Sequence, residues 1–162
     1  MSGRAENRAH GASEKPVRRE IILNLADAHN MLPLVRHIVA DIVENRRLLA
    51  QLGPEGERLH RERRKLGWPE RSRLYQIQEQ IAAADRNLLA AIGELTALGL
   101  VIVDVERGRV GFPTVVNSRR ALFSWQPGEP NIRFWHFPEE EERRPVPITW
   151  VKSANLTLSA KN

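Results

Sequence analysis

The chain has 162 residues, of which 41% are hydrophobic, with no cysteine and a formal net charge of +5. This length suits one modest domain with a hydrophobic core, and the lack of cysteine excludes disulfides, thiolate metal sites and cysteine nucleophiles. Met1–Glu20 lacks the apolar run of a signal peptide, and no segment approaches the ~18 apolar residues of a membrane span, so we expect a cytoplasmic protein without membrane contact.

The first twenty residues mix small and charged side chains and offer little to bury, which predicts a disordered basic tail over residues 1–20. Order is expected from Ile21 onward. Asn24 is a suitable N-cap for a helix, and Asp27 stands three residues later, in a variant of the capping box. Asp27 therefore has a structural role available at the start of the first helix.

Two apolar seams with spacings of three and four residues predict two long helices that pair as an antiparallel hairpin over residues 21–98. Pro33 lies in the first helix and is expected to kink it. Pro69 suits the first turn of the second helix, and Gly99 suits its C-cap. The first seam is Leu25, Ala28, Leu32, Val35, Val39, Ile42 and Leu49, and the second is Leu74, Ile77, Ile81, Ala84, Leu88, Ala91, Leu95 and Leu98.

Between the seams, the Gly-Pro-Glu-Gly run at 53–56 predicts a helix break, followed by a short basic helix over 57–66. The stretch 57–73 holds seven cations and three acids, a surplus of four positive charges at the hairpin tip. Such a tip can bind nucleic-acid phosphates, or it can be a solvated surface, and the lack of a recognised motif disfavours nucleic acid. The candidate nucleic-acid contacts are Arg61, Arg63, Arg64 and Lys65.

Residues 99–138 alternate apolar and polar side chains between turn signals, which predicts a small antiparallel sheet of three or four strands. Turns are expected at 106–109 and at Asn117-Ser118. Residues 146–162 are predicted to form a C-terminal tail in which Trp150 is the one large anchor. The fold class is therefore α+β, with residues 21–145 as a single domain built from the helical hairpin and this sheet.

The stretch 124–136 concentrates two tryptophans, Glu129 and His136 in an aromatic-poor chain. Strand tryptophans usually fill the interface between sheet and helix, although Trp125 and Trp135 can also stack a ligand ring. Ser124 with His136 suggests a nucleophile and a base, but no nucleophile-elbow sequence surrounds the serine.

A set of short motifs is spread over about Leu23 to Pro145: Asp27-Ala28-His29, Leu32-Pro33, Leu98-Gly99, Glu106-Arg107-Gly108, Phe112-Pro113, Trp125, Gly128-Glu129, Trp135-His136 and Arg143-Arg144-Pro145. In their order and spacing, these motifs resemble the bacterial family called domain of unknown function 2203. Asparagine, aspartate and cysteine are usual in that family where His29, Gly111 and Ser124 stand, so any site that uses those side chains is altered here. The resemblance implies a long helical hairpin joined to a compact β region, directs attention to the polar residues near 27 and 129–136, and carries no activity.

Two kinds of site follow from these residues. Asp27, His29, Glu129 and His136 are hard or borderline ligands that suit a divalent metal such as zinc, iron or manganese, if the fold gathers them. Their alternative roles are structural: a helix cap for Asp27, and a hydrogen bond between His136 and Glu129. For a ligand site, Glu129 or His136 can act as a general acid or base.

Arg143 and Arg144, with Trp135, are the candidates for holding an anionic ligand. The leading interpretation is nevertheless a non-enzymatic protein that forms a homo-oligomer or binds a protein partner through its helical faces. A flanking apolar stripe at Met31, Ile38 and Val43 favours this, because a single hairpin partner does not cover it. A longer coiled coil between subunits is an alternative arrangement of the same seams.

Overall fold

The described part of the chain, residues 20–160 of a computed structural model, consists of a helical hairpin, a five-stranded sheet and a C-terminal helix. The predicted disordered tail falls outside these residues except for Glu20. The elements are α1 (Leu25–Glu62), α2 (Trp68–Ala97), β1 (Val101–Asp104), β2 (Arg109–Val116), β3 (Arg119–Trp125), β4 (Phe134–His136), β5 (Arg144–Pro145) and α3 (Ile148–Ala160).

The ends of the two long helices follow their capping residues. The Asp27 backbone N–H donates to Asn24 Oδ1 at 2.8 Å, which confirms the predicted N-cap of α1. Pro69 lies in the first turn of α2, as predicted. Gly99 ends α2 with a φ of +81°, a conformation that favours glycine.

The predicted break at residues 53–56 is wrong, because α1 continues as one helix to Glu62 and no separate helix forms over 57–66. Gly53 has no Cβ to collide with the Pro54 ring, so the residue before this proline can stay helical. Gly56 is buried against α2, where an added Cβ would lie 3.1 Å from Ile77 Cγ2. Gly56 therefore serves close packing of the two helices. The chain reverses later, at residues 63–65.

The sheet is antiparallel, and its strands lie in chain order from β1 to β5. It has five strands where three or four were predicted, because β5 is a two-residue pairing at Arg144–Pro145 that is too short to show alternation. Asn117 and Ser118, both with positive φ, connect β2 to β3 and confirm the predicted turn.

One face of the sheet packs on the first half of α1 and the end of α2. Phe112, Phe123 and Trp135 occupy adjacent positions on this inner face, since Phe112 pairs with Phe123 and Phe123 pairs with Trp135. Residues 146–162 were predicted to be a tail, but most of this segment forms α3. Trp150 of α3 anchors it, with ring centroids 6.3 Å from Phe123 and 5.8 Å from Trp135.

The apolar core is divided into two clusters along the hairpin. We call the larger part the body; it comprises the sheet, α3 and the hairpin outside residues 47–87. We call hairpin residues 47–87 the arm. Its apolar cluster is formed by hairpin residues alone, without any residue of the sheet. The Arg46–Glu106 ion pair joins α1 to the β1–β2 turn at the boundary. The buried residues of the arm cluster are Leu52, Leu59, Leu66, Leu74 and Ile77.

Candidate functional site

The four predicted metal ligands lie in different environments. The Asp27 side chain is in the first turn of α1, and His29 Nε2 accepts the Ile132 N–H at 3.3 Å. Glu129 Oε1 accepts a bond of 2.6 Å from Arg143, and its Oε2 accepts the Gln126 N–H at 3.1 Å. Within residues 20–160, no three His, Asp or Glu side chains are grouped to hold a metal.

His136 points to the outer face of the sheet, away from α1 and His29, because it alternates with the inward-facing Trp135. Its ring is only 2% exposed, and Nδ1 lies 2.8 Å from the Phe137 carbonyl oxygen rather than bonding to Glu129. Ser124 is on the same face, yet Ser124 Oγ and His136 Nε2 both lack hydrogen-bond partners among the described atoms. The serine and the histidine therefore form no nucleophile–base pair in this structure.

The predicted anion-binding residues already have other partners. Arg143 pairs with Glu129 across a part-buried contact, with both side chains 15% exposed, and its guanidinium lies 4.3 Å from the Phe134 ring centroid. Arg144 bonds Glu140 at 2.7 Å and lies over the Trp135 ring. Trp135 itself is buried in the body core. The two guanidiniums are thus neutralised by carboxylates, and the tryptophan fills the core.

The hairpin tip presents four cations to solvent. Arg61, Arg63, Arg64 and Lys65 are exposed and form no ion pair with any described acid. Arg71, nearby on α2, is also exposed and has no ion pair with a described acid. The other two cations of the tip differ, since Arg58 pairs with Glu62 and Arg73 forms two 3.0 Å bonds to Glu55. The tip therefore carries uncompensated positive charge, and Trp68 beside it is 77% exposed.

The predicted stripe on α1 is covered, because Ile38 is buried and Met31 and Val43 pack against the body core. The exposed helical stripe lies instead on α2, where Tyr75 is 64% exposed, Leu89 is 69% exposed and Ala82 between them is exposed. We call Tyr75, Ala82 and Leu89 the outer stripe. Its signal in the sequence is a seven-residue interval, which Trp68 extends toward the tip.

A cleft of about 630 Å³ opens where α1, the β3–β4 loop and α3 meet. Sequence reasoning missed it because its walls come from three distant segments. Its α1 wall includes His29, Leu32, Pro33 and Arg36; its loop wall is residues 130–133; and Val146, Val151 and Asn155 form the remaining wall.

The cleft walls are hydrogen-bonded to each other. Arg36 donates to the Pro130 carbonyl oxygen, and the Ile132 N–H donates to His29. The Val146 N–H donates to the Arg133 carbonyl oxygen at 2.8 Å. Burial lowers the pKa of His29 from its ordinary value of 6.5, and a ring nitrogen that accepts an N–H must be unprotonated. His29 is therefore a neutral ring at neutral pH.

These features define an α+β protein in which a long helical hairpin is joined to an antiparallel sheet. The chain belongs to a family described as an uncharacterized conserved protein, DUF2203, whose model matches residues 22–146. No curated protein and no solved structure matches the chain. No helix in the described part of the chain is long and apolar enough to cross a membrane.

Proposed function

We propose that this protein is a non-enzymatic self-association module, in which α2 of one copy pairs antiparallel with α2 of a second copy. The observation that carries this proposal is the outer stripe, Tyr75, Ala82 and Leu89, exposed on α2. A tyrosine and a leucine that are both about two-thirds exposed make an apolar surface that burial would stabilise.

The position of the stripe excludes its burial within the hairpin. The buried face of α2 includes Leu74, Ile77 and Ala84. At ~100° per residue, the outer stripe lies roughly 130° around the helix axis from that face. Seven residues advance the helix by about 700°, within ~20° of two turns, so the stripe runs almost straight along α2.

The stripe is also symmetric about its centre. Tyr75 and Leu89 each lie seven residues from Ala82. A two-fold axis at Ala82 therefore brings Tyr75 of each copy to Leu89 of the other, and the two small Ala82 side chains let the helices approach closely. A C2 contact needs such a self-complementary patch, since the same residues must serve both copies.

Charges beside the stripe support the same axis. Glu79 and Arg86 are exposed on α2, three residues before and four residues after Ala82. Antiparallel pairing about Ala82 places Glu79 of each copy beside Arg86 of the other, which gives two equivalent ion pairs. Charge complementarity therefore favours a second copy of this chain as the occupant of this face.

Sedimentation equilibrium of charge variants tests the proposal. We expect the wild-type protein to dimerise, and Glu79→Arg to weaken the dimer because it places two guanidiniums together at both ion-pair positions. The double variant Glu79→Arg/Arg86→Glu should restore association. Glu94→Arg makes the same charge change away from the stripe and should leave association intact.

The experiment uses 100 µM protein, a concentration chosen as roughly tenfold above a ~10 µM dissociation constant. A wild-type protein that is monomeric at this concentration would contradict the proposal. The absence of rescue in the double variant would contradict the Ala82 axis.

We propose polyanion binding at the tip as a second function, favoured by the four cations that lack ion pairs. Phosphate contacts by Arg63 and Arg64 predict that binding of a DNA duplex weakens as salt rises. Arg63→Ala/Arg64→Ala should reduce the log–log salt slope by about 2, whereas Arg107→Ala/Arg119→Ala removes the same charge elsewhere as a control. Absent or salt-independent binding by the wild type would rule this function out.

A further inference from the structure

We propose that the cleft beside α1 binds a small organic anion, held through a carboxylate or phosphate group by Arg133 and Arg36. This site is separate from the outer stripe and the tip. Its volume of about 630 Å³ is within the ~300–1,000 Å³ of typical small-molecule sites.

The charge of the residues that line the cleft indicates whether its ligand is an anion or a cation. Arg36 and Arg133 line the cleft, and none of the described lining residues is acidic. Glu129, the nearest acid along the β3–β4 loop, is bound by Arg143 and so does not neutralise the cleft. An uncompensated pair of guanidiniums favours an oxyanion, to which Arg133 can donate two parallel hydrogen bonds and Arg36 can donate the N–H groups that Pro130 does not use.

The polar groups of the lining have donor capacity left over. The side chains of Arg133, Asn131 and Asn155 have no hydrogen-bond partner among residues 20–155, the part of the chain whose side chains the structure describes. Because His29 Nε2 accepts the Ile132 N–H, the neutral ring carries its proton on Nδ1, which assigns one more donor to this wall. A ligand with several acceptor oxygens matches this set.

The rest of the lining is apolar. Leu32, Pro33, Val146 and Val151 line the same cleft, so a ligand with a hydrophobic body gains more from it than inorganic phosphate does. The hydrogen bonds between the walls hold the backbone segments of the cleft in place before binding, which lowers the entropic cost of association. The structure therefore fits an anion attached to a small apolar group.

NMR titration of the full chain tests this assignment with benzoate and phenyl phosphate as probes and neutral benzamide as the control ligand. We expect an anionic probe to shift the backbone amide of Ile132 and the side-chain amides of Asn131 and Asn155. Benzamide should bind at least about tenfold more weakly, since it lacks the charge. A preference between benzoate and phenyl phosphate would distinguish a carboxylate from a phosphate ligand.

Substitutions in the cleft show which side chains contribute to the binding free energy. Arg133→Ala changes an exposed side chain and should weaken binding of the preferred probe about tenfold or more, because a charge-assisted hydrogen bond is lost. Arg107→Ala removes the same charge from the β1–β2 turn and should leave affinity unchanged. Equal binding of benzamide, undiminished affinity in Arg133→Ala, or no shift at Ile132 with either anion would overturn the proposal.

Discussion

The body and the arm use the same hairpin in different ways. In the body, the sheet covers α1 and α2, α3 also packs on α1, and twenty-one buried residues form one cluster. In the arm, the two helices cover only each other, and the cluster has five buried residues. Since buried apolar area supplies most of the driving force for folding, we expect the arm to be the less stable region.

This difference separates substitutions that unfold the protein from those that change its associations. The body places its aromatic residues inside, whereas α2 exposes Tyr75 and Leu89, and the arm tip exposes Trp68. A two-helix segment with a small core gains most from a partner on its outer face. We therefore expect variants of buried body residues to lose stability, and outer-stripe variants, including those of the exposed Leu89 just beyond the arm, to lose association.

The largest expected effect comes from comparing the two cores. Phe112→Ala removes a fully buried ring from the body and should lower the free energy of unfolding by about 3–5 kcal/mol. Leu59→Ala in the arm should cost about 2 kcal/mol, because a two-helix segment can partly collapse around the lost atoms. Urea denaturation measures both values.

Hydrogen exchange then tests whether the arm opens separately. Leu59→Ala should speed amide exchange over residues 47–87 while exchange in β2 and β3 stays slow. Leu34→Ala, at an exposed position of α1, is the control and should change stability by less than about 0.5 kcal/mol. If exchange in the arm and the sheet accelerated equally, the two regions would be one cooperative unit.

A smaller difference in the free energy of unfolding is expected between variants that break two different ion pairs. Arg143→Met breaks the part-buried pair with Glu129 in the body and should cost about 1.5–3 kcal/mol, since a charged hydrogen bond is lost. Arg58→Met breaks the exposed pair with Glu62 in the arm, whose atoms are 3.6 Å apart, and should cost at most about 0.5 kcal/mol. Equal costs in thermal unfolding would show that burial does not distinguish the pairs.

The smallest expected effect is the contribution of His29, in the wall of the cleft, to the pH dependence of stability. Folding lowers the pKa of His29, so the unfolded chain binds more protons near the ordinary value of 6.5. Stability from this group is present above pH 6.5 and is lost as pH falls through the lower folded pKa. His29→Asn keeps an acceptor for the Ile132 N–H and should flatten this dependence.

His37→Asn, at an exposed position of the same helix, is the control for that titration. Denaturation at pH 5 and pH 7.5, both chosen for the experiment to bracket the ordinary value of 6.5, measures the difference for each variant. A wild-type stability that rises between pH 7.5 and pH 5 relative to His29→Asn would contradict the stated direction.

Local patterns predicted most of the fold. The two seams have the period of a helix, so both long helices and their antiparallel pairing could be predicted. The role of Gly56 could not be predicted, because its close approach to Ile77 depends on how the two helices pair. β5 is too short to alternate, and α3 follows a proline-spaced segment and depends on Trp150 packing against Phe123.

The candidate sites were less predictable than the fold. Asp27, His29, Glu129 and His136 have suitable chemistry, but their placement depends on tertiary structure, and the sheet separates His136 from His29. Arg133 and Asn155 meet across the cleft only after α3 folds back. The outer stripe is visible as a seven-residue interval, yet its exposure is known only once the opposite face of α2 is paired.

One cysteine cross-linking measurement tests self-association through α2 most directly, because the natural chain has no cysteine. Ala82→Cys would place two thiols on the proposed two-fold axis, where the Cα atoms of antiparallel helices can reach the ~4.4–6.8 Å that a disulfide needs. Ala90→Cys, exposed on another side of α2, is the matched control. We predict rapid oxidative dimerisation of Ala82→Cys and slow dimerisation of Ala90→Cys; equal rates, or a monomeric Ala82→Cys, would contradict the proposed interface.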